Sequence, residues 1–272
     1  MKHLKIDIQG HRGCRGLLPE NSLQAFAKAI DLGVDTLELD VAISKDKVVV
    51  VTHEPYMNSE ICLDPKGNDI PKEDAEKYNL YGMTFEEIKQ FDCGTKPYPR
   101  FPKQQKIKTY KPSLDEVIKE AKRLNPAIKF NIEIKSEPGY YDVFTPKPKE
   151  FVALVLEVIS ENNSFNETNL QSFDLQILEE IKIQSPKMIV ALLVEEDEII
   201  LEKLNQMSYL PEIISPYYKL LDEEVVRNLH AENYKVIPWT LNTVVDMRKM
   251  ISYKIDGIIT DYPDILIKTL NE

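Results

Sequence analysis

Residues 36–53 read Thr36-Leu37-Glu38-Leu39-Asp40-Val41-Ala42-Ile43-Ser44-Lys45-Asp46-Lys47-Val48-Val49-Val50-Val51-Thr52-His53, and the reading of the fold turns on them. Strand alternation sends Leu37, Leu39 and Val41 to one face and Glu38 and Asp40 to the other. Such a strand suits a barrel, where the apolar face meets an outer layer of helices and the acids point inward. The run from Val48 to His53 is equally strand-like, yet only Ser44 to Lys47 separates it from its predecessor, too few residues for a parallel crossover. It must return antiparallel as a hairpin. Folding the chain about Lys45-Asp46 brings His53 back to the level of Glu38 and Asp40.

Outward from this hairpin the chain alternates strand with helix eight times, the pattern that forces a parallel sheet with helices outside it. Strand-like runs lie at about 5–9, 36–42, 130–135, 168–173, 188–194, 212–216, 235–240 and 256–260. Helical patterns follow at about 21–32, 113–124, 147–160, 174–184, 196–208, 222–232, 243–253 and 263–271. Asn21, Ser113 with Glu116, Asp174, Asp222 and Pro263 supply helix starts. The expected architecture is a (β/α)8 TIM barrel, for which 272 residues is an ordinary length. Residues 54–112 break the repeat with turn-rich sequence, one short helix near Thr84 to Phe91 and a basic, Pro-rich tract from Thr95 to Pro112. The expected division is therefore a barrel of residues 1–53 and 113–272 with a small insertion, 54–112, on its C-terminal face.

Composition narrows the function classes. The chain is 43% hydrophobic and 29% charged, which is globular. Its 34 Lys+Arg against 45 Asp+Glu give a net charge of −11, a poor match for nucleic acid or an anionic membrane. Apolar runs such as Met188 to Val194 fall far short of the ~18 residues that span a bilayer. Lys2 and Lys5 are followed by no apolar leader segment, so the chain as given reads as cytoplasmic unless a signal was removed before Met1. Cys14, Cys62 and Cys93 are odd in number and lack CxxC spacing, which argues against a disulfide framework and a structural zinc site and suits a reducing compartment. Oligomeric state leaves no mark in the sequence.

The chemistry-bearing residues converge on one mouth. In Asn131-Ile132-Glu133-Ile134-Lys135 the alternation puts Glu133 and Lys135 inward on the barrel strand beside Glu38 and Asp40. Three enclosed carboxylates cannot all ionise without compensation. A hard divalent cation with oxygen ligands, Mg2+ or Ca2+, meets that need; an internal salt-bridge network with Lys135 and Arg12, or a protonated acid, is the alternative. The first strand ends in Gln9-Gly10-His11-Arg12-Gly13-Cys14-Arg15-Gly16, whose glycines would admit a ligand close to the backbone. His11 and His53 then form a general acid and base pair at the C-terminal face, where barrel active sites lie. Cys14 carries no sign of an activated thiolate.

His11-Arg12-Gly13, Pro19-Glu20-Asn21-Ser22, Glu38-x-Asp40, His53, Glu133-x-Lys135, Trp239-Thr240-x-Asn242 and Asp256-Gly257-x-x-Thr260-Asp261-x-Pro263 together resemble glycerophosphodiester phosphodiesterases, in order and over nearly the whole chain. The resemblance also implies a barrel. It places metal ligands on Glu38, Asp40 and Glu133, catalytic histidines on His11 and His53, and phosphate contacts on Arg12 and Lys135. The family usually carries Asp after the second histidine, where this chain has Glu54. The implied activity is metal-dependent hydrolysis of small glycerophosphodiesters to glycerol 3-phosphate and an alcohol, by direct attack of water or through a cyclic phosphate. The three acids, a divalent ion, Arg12, Lys135 and a phosphodiester sum to zero charge with both histidines neutral.

Trp239 and Phe173, at strand ends, are expected to wall the substrate. Tyr140, Tyr141 and Phe144 either join that wall or pack on the insertion. Competing readings are a lysophospholipase D-like enzyme, an aldolase-like barrel using Lys135 as a Schiff base, and a non-catalytic phosphodiester-binding barrel. The tract with Lys96, Arg100, Lys103, Lys106, Lys108 and Lys111 is expected to draw small anions toward the pocket rather than to bind a membrane stably, because prolines interrupt it and it has no apolar anchor.

Overall fold

The computed structural model describes residues 6–272. Lys2, Lys5 and the first residue of the strand expected over 5–9 lie outside them. Eight parallel strands, β1 (Asp7–Gly10), β2 (Thr36–Ile43), β4 (Lys129–Ile134), β5 (Thr168–Ser172), β6 (Ile189–Val194), β7 (Ile213–Pro216), β8 (Lys235–Val236) and β9 (Gly257–Thr260), run in the order β8-β7-β6-β5-β4-β2-β1-β9. At the seam Asp256 N donates to Val236 O at 2.9 Å and Ile259 N to Pro238 O at 3.1 Å, so the barrel is nearly closed. β3 (Val49–Val51) pairs antiparallel with β2, Val41 opposite Val51, as the short connection required. The strand expected over 235–240 is short because Pro238 has no N–H to offer; Ile237 and Trp239 on either side still bond to β7 carbonyls.

Helices α1 (Leu23–Leu32), α3 (Leu114–Leu124), α4 (Pro148–Glu161), α5 (Leu175–Gln184), α6 (Ile200–Leu204), α7 (Glu223–Ala231), α8 (Val244–Ser252) and α9 (Pro263–Asn271) fill the crossovers, and α2 (Phe85–Ile88) lies in the insertion. Ser113 and Glu116 form the expected capping box, and Asp174 and Asp222 cap α5 and α7. At α1 the cap is Ser22, whose Oγ accepts from Ala25 N at 3.1 Å; Asn21 turns the other way, into the barrel mouth. α6 is far shorter than the expected 196–208 because Glu198 folds back, accepting from Glu195 N and from Lys203, and holds the preceding residues in a turn.

The main core lies between strands and helices, built on Leu37, Leu39, Phe130, Ile132, Val190 and Ile258. Residues 54–112 hold a second, smaller core in which Met57, Ile61, Leu80, Ile88 and Phe91 pack on Ala42 and Val50 of the hairpin. Cys62 and Cys93 are joined there by a disulfide, contrary to the expectation from cysteine number and spacing. Leu63 and Asp92 exchange both backbone hydrogen bonds, which makes Cys62 and Cys93 the adjacent, closely approaching pair of an antiparallel bridge. The glycines at the end of β1 and in the turn that follows also depart from expectation. A Cβ on Gly10 would lie 2.1 Å from Gly13 O, and one on Gly13, at φ +87°, would lie 2.7 Å from the Ala25 backbone. They admit neighbouring chain, not ligand.

Candidate active site

β2 and β4 pair in a register that sets Asp40 opposite Glu133, so strand alternation delivers Glu38, Asp40 and Glu133 to one buried cluster. Each offers an oxygen within 4.8 Å of the other two. Their existing donors are few. Glu38 accepts from Arg12 N and Gln171 Nε2, both at 3.0 Å; Asp40 accepts from Asn21 Nδ2 at 2.9 Å; Glu133 lies 2.8 Å from Lys135 Nζ. Arg12 Nε lies 3.2 Å from Asp40 Oδ2, as an ion pair without hydrogen-bond alignment. Asp40 Oδ1 is buried and has no hydrogen-bond partner among the described residues.

Burial pushes the Glu38 pKa up, and Asp40 and Glu133 add to the effect. Burial likewise carries Glu133 up to about 7 against the pull of Lys135. Asp40 is also buried, but Arg12, His53 and Lys135 outweigh that cost and hold its carboxyl well below the usual range. The carboxylates of Glu20, Glu54 and Asp261 and the cations Arg12, Arg15, Lys111 and Lys135 surround the cluster. An unpartnered carboxylate oxygen and an all-oxygen donor set fit a hard divalent cation.

Each histidine is held by a carboxylate. His11 Nδ1 lies 2.7 Å from Asp261 Oδ1, which also accepts from Arg15 Nε at 2.8 Å, and His53 Nδ1 lies 2.9 Å from Glu54 Oε1. His11 and then Arg15 hold the Asp261 pKa below its ordinary value despite burial, and the Asn242 side chain donates to Asp261 Oδ2 at 2.7 Å. An ionised carboxylate only accepts, so Nδ1 carries the ring proton and Nε2 is left for chemistry. His11 Nε2 sits 3.9 Å from Glu38. Burial is the largest cause lowering the His11 pKa, to about 4, and it lowers that of His53 as well. Glu54 thus does for His53 what Asp261 does for His11, despite the extra methylene.

Arg12 packs between Glu20, 2.5 Å away, and Asp40. Lys135 stays charged, because Glu133 and Asp40 raise its pKa above the level to which burial would lower it; a Schiff-base nucleophile needs the opposite. Beyond these groups opens a cleft of about 480 Å3, with His53, Glu133, Lys135, Tyr56, Tyr140 and Phe173 among its walls. The Phe173 ring lies 5.5 Å from Lys135 Nζ and meets Trp239 edge to face at 5.6 Å; the Trp239 indole N–H donates to Ser215 O. Tyr140 packs against Phe144 with the rings tilted, and Phe144 meets Tyr56 of the insertion, so this loop is both wall and packing surface, while Tyr141 bonds to Asp174. Cys14 is buried, its thiol pKa pushed up to about 12 by burial.

Within the basic tract Lys96 pairs with Asp69 and Lys111 is buried against Thr52, while Arg100, Lys103 and Lys108 are exposed. Asp261 and Gln171 join the site without any local pattern that assigns them a role, although each stands at a barrel strand's C-terminal end, where such residues point into the mouth.

A parallel barrel with a carboxylate cluster and two carboxylate-held histidines at its C-terminal mouth has the form of a barrel enzyme's active site. The family profile described as glycerophosphoryl diester phosphodiesterase matches residues 11–265. A glycerophosphodiester phosphodiesterase of Caldanaerobacter subterraneus subsp. tengcongensis is 30% identical over 99% of both chains. A solved structure from Silicibacter pomeroyi superposes with a TM-score of 0.90 at 28% identity, covering 98% of this chain and 93% of that one. An Oleispira antarctica phosphodiesterase, solved with the product sn-glycerol-3-phosphate, shares the fold at a TM-score of 0.79 and 22% identity, with 98% and 97% covered. The chain belongs to the glycerophosphoryl diester phosphodiesterase family and is an enzyme of the phosphoric diester hydrolase class.

Proposed function

We propose that this enzyme hydrolyses small glycerophosphodiesters to glycerol 3-phosphate and an alcohol, with a divalent cation held by Glu38, Asp40 and Glu133 and with His11 and His53 as its proton-transfer pair. The observation that carries the reading is the carboxylate cluster flanked by two imidazoles, each with Nδ1 on a carboxylate and Nε2 free. Bound there, Mg2+ or Ca2+ would supply positive charge against the diester's anionic oxygens as charge grows in the transition state.

The protein's own groups do the rest. One imidazole, neutral with its Nε2 lone pair free, accepts a proton from the attacking oxygen; the other gives one to the departing alcohol and must first carry it on Nε2, as an imidazolium whose charge the carboxylate on Nδ1 offsets. Lys135 and Arg12 hold the phosphate, and Phe173 with Trp239 walls its polyol. The product bound by the Oleispira relative supports a glycerol-phosphate pocket. Residues 54–112, as an insertion subdomain, carry one wall of the cleft through Tyr56. Among the described residues no helix is long and apolar enough to cross a membrane. We read the substrate as a small molecule rather than a membrane lipid, since a net charge of −11 is a poor match for an anionic surface.

The test is choline release from glycerophosphocholine by the purified, Mg2+- or Ca2+-supplemented protein, with glycerol 3-phosphate formed in equal amount. Binding of glycerophosphocholine and glycerophosphoethanolamine without turnover of either would make the protein a phosphodiester-binding barrel instead.

A further inference from the structure

Lys111 is a buried ammonium that the chemistry above does not use. It ends the tract leading from the insertion back to the barrel, and its neighbour Pro112 accepts from Val51 N at 2.7 Å, which fixes the backbone there against β3. Lys111 Nζ donates to Thr52 Oγ1 at 2.7 Å. An ammonium has no lone pair, so the Thr52 oxygen accepts at this contact and its own proton must go elsewhere. It goes to the carbonyl of Glu54, 2.9 Å away. The bonds therefore run one way, from Lys111 through Thr52 to Glu54, and the last two residues bracket His53.

The Glu54 side chain has to fold back onto the ring of the residue immediately before it, which works only while the backbone of residues 52–54 is held. Its Oε1 takes the His53 contact, and its Oε2 is buried with no hydrogen-bond partner among the described residues. Counter-charge for this carboxylate comes from His53, Arg12 and Lys111. Glu20, Arg12 and Asp40 are the other charged groups acting on Lys111. We propose that Lys111 is a positioning residue for the reaction: it locks the Thr52–Glu54 turn, and so the direction in which His53 presents Nε2 to the substrate. The proposal rests on the assignment of His53 above. It also gives the insertion a role in the chemistry, since its last residues deliver the ammonium.

Three variants, K111M, T52V and K111M/T52V, test it on the full chain with glycerophosphocholine, each checked for folding by its thermal midpoint. Each single variant is expected to lower kcat about tenfold with KM within about twofold, because a misdirected imidazole costs rate rather than binding. The double variant is expected to be no slower than K111M, because both changes cut one chain of bonds. Losses that multiply, a loss confined to KM, or wild-type kcat in folded variants would overturn the proposal. If K111M does not fold, T52V alone decides, since it removes the relay and keeps the side-chain shape. H53A is measured beside them. If it retains full kcat, the histidine assignment itself fails; if it is inactive while T52V and K111M are not impaired, only the role of Lys111 fails.

Discussion

The two halves of the barrel interior are built from different chemistry. Under β1, β2, β4 and β5 the inward side chains are amides and acids: Asn131 donates to Gln9 at 2.8 Å and to Gln171 at 3.1 Å, Asn169 donates to Asn131, and Gln171 reaches Glu38. Under β6 to β9 they are Ala191, Ile213, Ile237 and Ile259, packed together beneath Trp239. One half is a hydrogen-bonded floor that fixes where carboxylates point, and the other is a plug that keeps the barrel shut. Chemistry and stability are thus spatially separated within one ring of strands, which predicts that substitutions in the two halves will fail in different ways.

The largest effect is expected on the polar side. Exhaustive chelation should abolish turnover, and Mg2+ or Ca2+ should restore it, because the proposed ion sits on three clustered carboxylates, one of whose oxygens has no hydrogen-bond partner among the described residues. E133Q should stay inactive on re-addition while its thermal midpoint remains near that of the wild-type protein. Full activity of a protein shown metal-free by elemental analysis would break the assignment. Next, H11A and H53A should each lower kcat by roughly 10²-fold or more, since each removes a proton transfer. A variant altered only in KM would make that histidine a binding group.

On the apolar side I213A should destabilise the fold by about 2 to 5 kcal/mol through the cavity it leaves. Its kcat per folded molecule should stay near wild type. Loss of kcat at unchanged stability would erase the distinction between the halves.

The polar half is legible in the sequence because period-two alternation in residues 36–41 and 131–135 forces its acids inward, and the short connection at Ser44 to Lys47 forces His53 back to them. What escapes a sequence reading depends on contacts between distant segments. Asp261 reaches His11 across 250 residues of chain, and no local pattern announces that meeting. The Cys62–Cys93 bond follows from a single antiparallel bridge inside irregular sequence. Lys111 reads as part of a solvated basic tract, because a run of lysines says nothing about which one is swallowed. The glycines at the end of β1 and in the turn that follows do mark a close approach, but their spacing cannot tell whether ligand or chain comes near, and here it is chain.

The smallest predicted effect tests how tightly the acids are coupled. In the metal-free protein burial raises both Glu38 and Glu133, the latter to about 7, whereas Asp40 stays ionised. A carboxyl must lose its proton to bind a cation, so a raised pKa weakens metal affinity below that pKa and leaves it unchanged well above. Between pH 8 and pH 6 Glu133 alone passes from mostly ionised to mostly protonated, and the apparent affinity for Mg2+ or Ca2+ should fall by at least roughly tenfold. Titration calorimetry at pH 6 in buffers of different ionisation enthalpy should show protons released on binding, with fewer released by E133Q. An affinity flat across that range, with no proton release, would mean that Arg12 and Lys135 already keep all three acids ionised, and that the polar half is preassembled before the metal arrives.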